Sequence, residues 1–150
     1  MAGYTFTDDV RRALESAREE AAARRDLEVA PEHLLLGIMR QREGDWGAVF
    51  KVLAVDPEAL SQHMASTMTT PTVGEETRRD LPYTSAAMRV LEFAMVESRN
   101  LGYAWIGAEH VLLGLIREES SPAAKILAAH QVTFQRLRDA LARWTPPSGS

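Results

Sequence analysis

Two glutamate–histidine pairs carry the most recognisable chemistry in this chain, and they lie 77 positions apart: Glu32-His33 and Glu109-His110. A carboxylate accepts two parallel hydrogen bonds from a guanidinium, so either glutamate suits recognition of an arginine side chain. Each glutamate also falls in the first turn of an expected helix, where a negative charge favours the helix dipole without any ligand. Two threonines recur at the same interval, Thr7 and Thr84. A threonine at a helix start lies beside unpaired backbone amides that can cradle a phosphate; it serves equally as a plain N-cap. The copies differ locally. Asp8 and Asp9 follow Thr7 and would repel an anion, whereas Ser85 and Ala86 follow Thr84. The second copy, Thr84 with Glu109, is therefore expected to be the stronger site.

His33 and His110 have no neighbouring His or Cys at metal-ligand spacing, so both are read as buried, hydrogen-bonded side chains and no metal is expected. No Ser-His-Asp set or paired carboxylates can be argued, and the single Gly-x4-Gly, from Gly102 to Gly107, is followed by Ala108-Glu109 rather than Lys and Ser or Thr. A catalytic role and a cofactor are not expected.

These residues belong to a longer repeat. Glu32-His33-Leu34-Leu35-Leu36-Gly37-Ile38 is matched by Glu109-His110-Val111-Leu112-Leu113-Gly114-Leu115, and Phe6-Thr7, Leu14, Ala17, Val55 and Leu60 recur 77 residues on as Tyr83-Thr84, Leu91, Ala94, Val132 and Leu137. A repeat of this length is a structural unit used twice. Its periodicity is helical. Val10, Leu14, Ala17 and Ala21 form one apolar stripe after Thr7; Pro31 opens a helix bearing Leu34, Leu35 and Ile38, broken by Gly44 and Gly47. Trp46 to Leu53 reads as a short third helix and Pro57 opens a fourth. The second half repeats the plan from Thr84, Glu109, Pro122 and Val132, the last helix running to Trp144. Met39, Met64, Met88 and Met95 are assigned to the core. The predicted fold is all-α, eight helices in two four-helix repeats related by a pseudo-twofold axis. One domain over residues 1–150 is expected, with repeat one at about 6–67, a linker at about 68–82, repeat two at about 83–145 and a tail at 146–150.

Hydrophobic content of 45% is ordinary for a globular domain, and a net charge of -4 gives no general reason to expect nucleic acid binding. The basic pairs Arg11-Arg12, Arg24-Arg25 and Arg78-Arg79 are interrupted by acidic neighbours and are read as solvated helix faces. The absence of cysteine excludes disulfides and thiol catalysis. No secretory signal is visible and no apolar run approaches the ~20 residues that span a bilayer, so a cytoplasmic location without membrane contact is expected.

The repeated motifs, together with Asn100-Leu101-Gly102-Tyr103, resemble the Clp amino-terminal domain, which precedes the ATPase modules of Hsp100 unfoldases. Similarity is greatest to the ClpC type and runs from about Phe6 to Trp144. The resemblance implies a non-catalytic module that docks protein substrates and adaptors for an unfoldase feeding a ClpP-type peptidase. It implies that Glu32 and Glu109 hold the guanidinium of phosphoarginine, with Thr7 and Thr84 on the phosphate side. It also implies an aromatic surface for adaptors or cyclic peptide antibiotics, with Tyr83, Phe6 and, more loosely, Tyr4 as candidates. The chain departs from the family pattern at Asp9 and Ala86, where relatives usually carry arginine. It reads either as a domain of an unfoldase or as a free-standing, monomeric relative that competes with ClpC or sequesters ClpC-directed peptides.

Overall fold

The computed structural model describes residues 5–41, 46–68 and 81–143. Among them run α1 (Asp8–Ala23), α2 (Pro31–Met39), α3 (Trp46–Val52), α4 (Pro57–Thr67), α5 (Ser85–Asn100), α6 (Ala108–Arg117), α7 (Pro122–Ala129) and α8 (Phe134–Arg143). The fold is all-α, eight helices as two equivalent sets of four, as the periodicity predicts. Residues 69–80 of the expected linker, the tail, Gly44 and Tyr4 lie outside the described residues.

Local chemistry sets the helix starts. Asp56 accepts from the Glu58 amide at 3.0 Å, Thr84 from Ala87 at 3.0 Å and Ser121 from Ala124 at 3.1 Å, each satisfying an amide that the helix leaves unpaired. Helices α2 and α6 follow Ala30 and Gly107, which have no capping side chain. Here the histidine three residues on reaches back. His33 Nδ1 accepts from the Ala30 amide at 2.8 Å and His110 Nδ1 from the Gly107 amide at 2.9 Å. This is half of a capping box, with imidazole in the role of Glu or Gln.

The long helices pack in pairs, α1 on α2 and α5 on α6. The Leu-Leu-Gly motif makes that approach close. A Cβ on Gly37 would collide with the Ala13 carbonyl and lie 3.0 Å from the Ala17 amide nitrogen; one on Gly114 would meet the Val90 carbonyl and the Ala94 amide nitrogen, the latter at 3.2 Å. Glycine in the second helix and alanine in the first therefore let the backbones touch. Ion pairs repeat with them: Arg40 with Glu20 at 3.3 Å and Arg117 with Glu97 at 2.8 Å. Even the left-handed backbone positions recur, Arg25 with Gly102 and Ala54 with Gln131.

The two repeats clasp each other through their entry segments. Phe6 forms a parallel bridge with Ile106, and Tyr83 forms the equivalent bridge with Val29. The Thr7 amide donates to the Ile106 carbonyl at 3.1 Å, and the Thr84 amide to the Val29 carbonyl at 2.9 Å. Between them lies one continuous core that includes Leu34, Leu35, Phe50, Leu60, Leu112, Leu113 and Leu127.

Several expectations are corrected. Helix α8 starts at Phe134 rather than Val132, because Thr133 Oγ1 accepts from the Arg136 amide at 3.2 Å and ends the preceding turn. Helix α2 stops at Met39, and Gly47 lies inside α3 instead of breaking α2. Met88 is 49% exposed and is not a core residue; Met64 is fully buried, while Met39 and Met95 pack against the core edge. Leu14 is only half-buried, and Ala13 takes the inward position beside it. Arg24 is not solvated: its guanidinium pairs with Glu20 and its side chain is largely buried.

Candidate functional site

The clasp exchanges partners between the repeats. Thr84 is brought beside the start of α2, and so beside Glu32, not beside Glu109 of its own repeat. Thr7 is joined in the same way to the segment ahead of Glu109. The pairing of Thr84 with Glu109 suggested by sequence order is thus replaced by a cross-repeat one.

Glu32 and Thr84 line a cavity of about 380 Å³ with Asp26, Leu27, Glu28, Ala30, His33, Thr67, Met68 and Pro122. Among the described residues the lining holds three carboxylates and no lysine or arginine, so its field favours a cationic group. Glu32 Oε1 is shielded from solvent and has no hydrogen-bond partner among the described residues. His33 fixes the rim. Its Nδ1 accepts from Ala30, so the ring proton sits on Nε2 and donates to Asp26 Oδ2 at 2.9 Å. Thr84 Oγ1 caps Ala87, and the first turn of α5 carries no acidic residue.

The counterpart is closed. Glu109 is fully buried. The residue before its helix is Gly107, and a Cβ there would collide with the Glu109 carboxylate. The missing methyl leaves room for that carboxylate to fold back, whereas Ala30 occupies the equivalent place beside Glu32. Thr7 makes no cap bond; its hydroxyl donates to Asp9, and Asp8 and Asp9 fill the first turn of α1. His110 stands where His33 does, but Asp26 is replaced by Tyr103, whose ring lies edge-on at 4.5 Å between centroids. Burial pushes the His110 pKa down to about 4, so the ring is neutral at physiological pH.

Tyr83 is half-buried, with the Arg18 guanidinium over its ring at 4.9 Å; burial raises its phenol pKa and Arg18 opposes this. Phe6 is half-buried against the core. Trp46 is engaged, donating to the Gln41 carbonyl at 2.8 Å and packing edge-on against Phe50, and Trp105 packs edge-on against Tyr103. Sequence reasoning missed Leu27, 71% exposed at the cavity rim, and the contributions of Thr67 and Pro122. An apolar residue set between Asp26 and Glu28 was the only available signal for Leu27. Arg89 also grips Glu118 through two parallel bonds of 2.9 and 2.8 Å, holding that carboxyl below the usual carboxylate range, with Ser120 assisting. Among the described residues no group of three or more His, Cys, Asp or Glu could hold a metal ion, and no helix is long and apolar enough to cross a membrane.

Fold and site together define a double-repeat helical domain with a polar cavity at the seam between repeats. The chain belongs to the Clp N-terminal repeat family, whose model, the Clp repeat (R) N-terminal domain, matches residues 5–142. It is 34% identical over 133 residues to the negative regulator of genetic competence ClpC/MecB of Bacillus subtilis, an alignment covering 89% of this chain and 16% of that protein. A ClpC ATP-binding subunit of Staphylococcus saprophyticus is 33% identical over the same length, again 89% of this chain and 16% of the relative. The chain thus spans about one sixth of the length of these relatives. Its fold matches the N-terminal domain of ClpD from Arabidopsis thaliana with a TM-score of 0.66 at 24% identity, covering 93% of this chain and 94% of that one. It matches the N-domain of ClpV from Vibrio cholerae with a TM-score of 0.73 at 20% identity, covering 92% and 83%. Clp N-domains bind substrates and adaptors of Clp unfoldases.

Proposed function

We propose that this chain is a non-catalytic docking module for substrates or adaptors of a ClpC-type unfoldase, with the cavity between Glu32 and Thr84 as its side-chain receptor. The observation that carries this is the shared cavity itself: a carboxylate from one repeat and a helix N-terminus from the other face the same 380 Å³. A guanidinium entering it would pair with the Glu32 carboxylate that lines it. A phosphoryl group on the same arginine would turn toward the amides that open α5, where no acidic residue opposes it. The finer reading is therefore an arginine-phosphorylated protein, with its guanidinium at Glu32 and its phosphate beside Thr84. Asp26 and Glu28 favour the cationic end over the anionic one, so unmodified arginine is the competing ligand. Glu109 and Thr7, filled by their own surroundings, are the weaker copy. Tyr83 and Phe6 offer a second contact surface, suited to an adaptor or a cyclic peptide antibiotic. The same reading makes the chain a single cytoplasmic domain, monomeric in isolation.

The test is an NMR titration of the protein with phosphoarginine, arginine and inorganic phosphate. Saturable shifts are expected at the Ser85 to Ala87 amides and around Glu32, abolished by Glu32→Ala and retained in Glu109→Gln. The absence of any shift with millimolar arginine or phosphoarginine would overturn the proposal.

A further inference from the structure

The cavity that holds Glu32 continues past Pro122. Thr67 and Pro122 also line a second cavity of about 250 Å³, whose other walls are His63, Lys125 and Ile126. Two cavities with shared walls make one groove along the contact between α4 and α7. Its ends differ in charge. Asp26, Glu28 and Glu32 line one end, with no basic side chain among the described residues. Lys125 stands at the other, one turn beyond Pro122 on α7, exposed and with no carboxylate partner among the described residues. His63 beside it is held in place by His130, Nδ1 to Nε2 at 3.0 Å, a contact that ties the two repeats together at this point. Met68 and Ile126 supply apolar wall.

We infer that this groove docks an extended peptide segment of a substrate or adaptor, one carrying an arginine for the acidic end and an Asp or Glu two residues away for Lys125. The inference rests on the reading that the Glu32 cavity takes a guanidinium. Charge complementarity selects the two residue types. Adjacency selects the spacing: the two cavities share Thr67 and Pro122 as walls, and an extended chain advances ~7 Å over two residues while returning its side chain to the same face. A peptide whose second charge is also basic would meet Lys125 unfavourably, so the groove reads a charge pattern and not simply basicity.

Four peptides, blocked at both ends, test this against the full chain by NMR or calorimetric titration: Ala-Arg-Ala-Glu-Ala, its reverse-order partner Ala-Glu-Ala-Arg-Ala, and the analogue of each with Gln for Glu. At least one Glu peptide is expected to bind about two- to fivefold more tightly than its Gln analogue, the size of an exposed ion pair. That advantage should vanish in Lys125→Ala and reverse in Lys125→Glu, both at an exposed position. Equal binding of Glu and Gln peptides, or an advantage that survives Lys125→Ala, overturns the inference. If those peptides still depend on Glu32, the arginine cavity stands and only its extension fails. If no arginine peptide binds at all, the inference fails, and the phosphoarginine titration above decides the cavity reading.

Discussion

The same short motif builds an open cavity in one half of this molecule and a filled one in the other. Glu32 and Glu109 occupy equivalent positions on equivalent helices, yet Glu32 lines an open recess and Glu109 is fully buried. The cause is small: Ala30 against Gly107, Asp26 against Tyr103, and the acidic first turn of α1 against the neutral one of α5. A repeat therefore duplicates a scaffold without duplicating a site. Recognition chemistry depends on the residues next to the shared motif more than on the motif.

The largest expected effect concerns the buried half. His110 has a folded-state pKa of about 4 against an ordinary 6.5. Its neutral form belongs to the fold, so the associated stability is fully present above pH 6.5 and is lost as the pH falls through 4. By pH 4 the loss amounts to about 3 kcal/mol. His110→Gln keeps an acceptor for the Gly107 amide but cannot titrate. Urea unfolding at pH 7 and pH 4.5 should show a smaller acid penalty in the variant; an unchanged penalty would remove His110 as its source.

Next comes the glycine that lets Glu109 fold back. Gly107→Ala forces the carboxylate out or strains the turn, with an expected cost of about 1–3 kcal/mol in denaturant unfolding. The reciprocal Ala30→Gly gives Glu32 the same freedom and should weaken arginine or phosphoarginine binding in the titration above. If Gly107→Ala is neutral, the account of why the two halves differ is wrong.

The smallest effect separates the two threonines. Thr84 caps α5, so Thr84→Ala should cost about 1 kcal/mol. Thr7 makes no cap bond, and Thr7→Ala should cost roughly half of that or less by thermal or chemical unfolding. Equal losses would mean that the two helix starts are equivalent after all.

Much of the fold was legible from residue order. Pro31, Pro57 and Pro122 mark real helix starts, and the apolar period places Leu34, Leu35, Leu112 and Leu113 inside. Met88 was misplaced because helical spacing alone does not say how far a core extends around the first turn of α5. Glu32 and Thr84 were each legible as candidates, but their partnership was not. Nothing in a linear repeat says that its entry segments cross over.

The sequence by itself determined the helices and their duplication, because periodicity and caps act over one or two turns. Only the tertiary structure decided which half stays open. The parallel bridges Phe6 to Ile106 and Val29 to Tyr83 pair residues 100 and 54 positions apart. Burial then depends on whether a methyl group at Ala30, or its absence at Gly107, leaves a carboxylate room to turn inward.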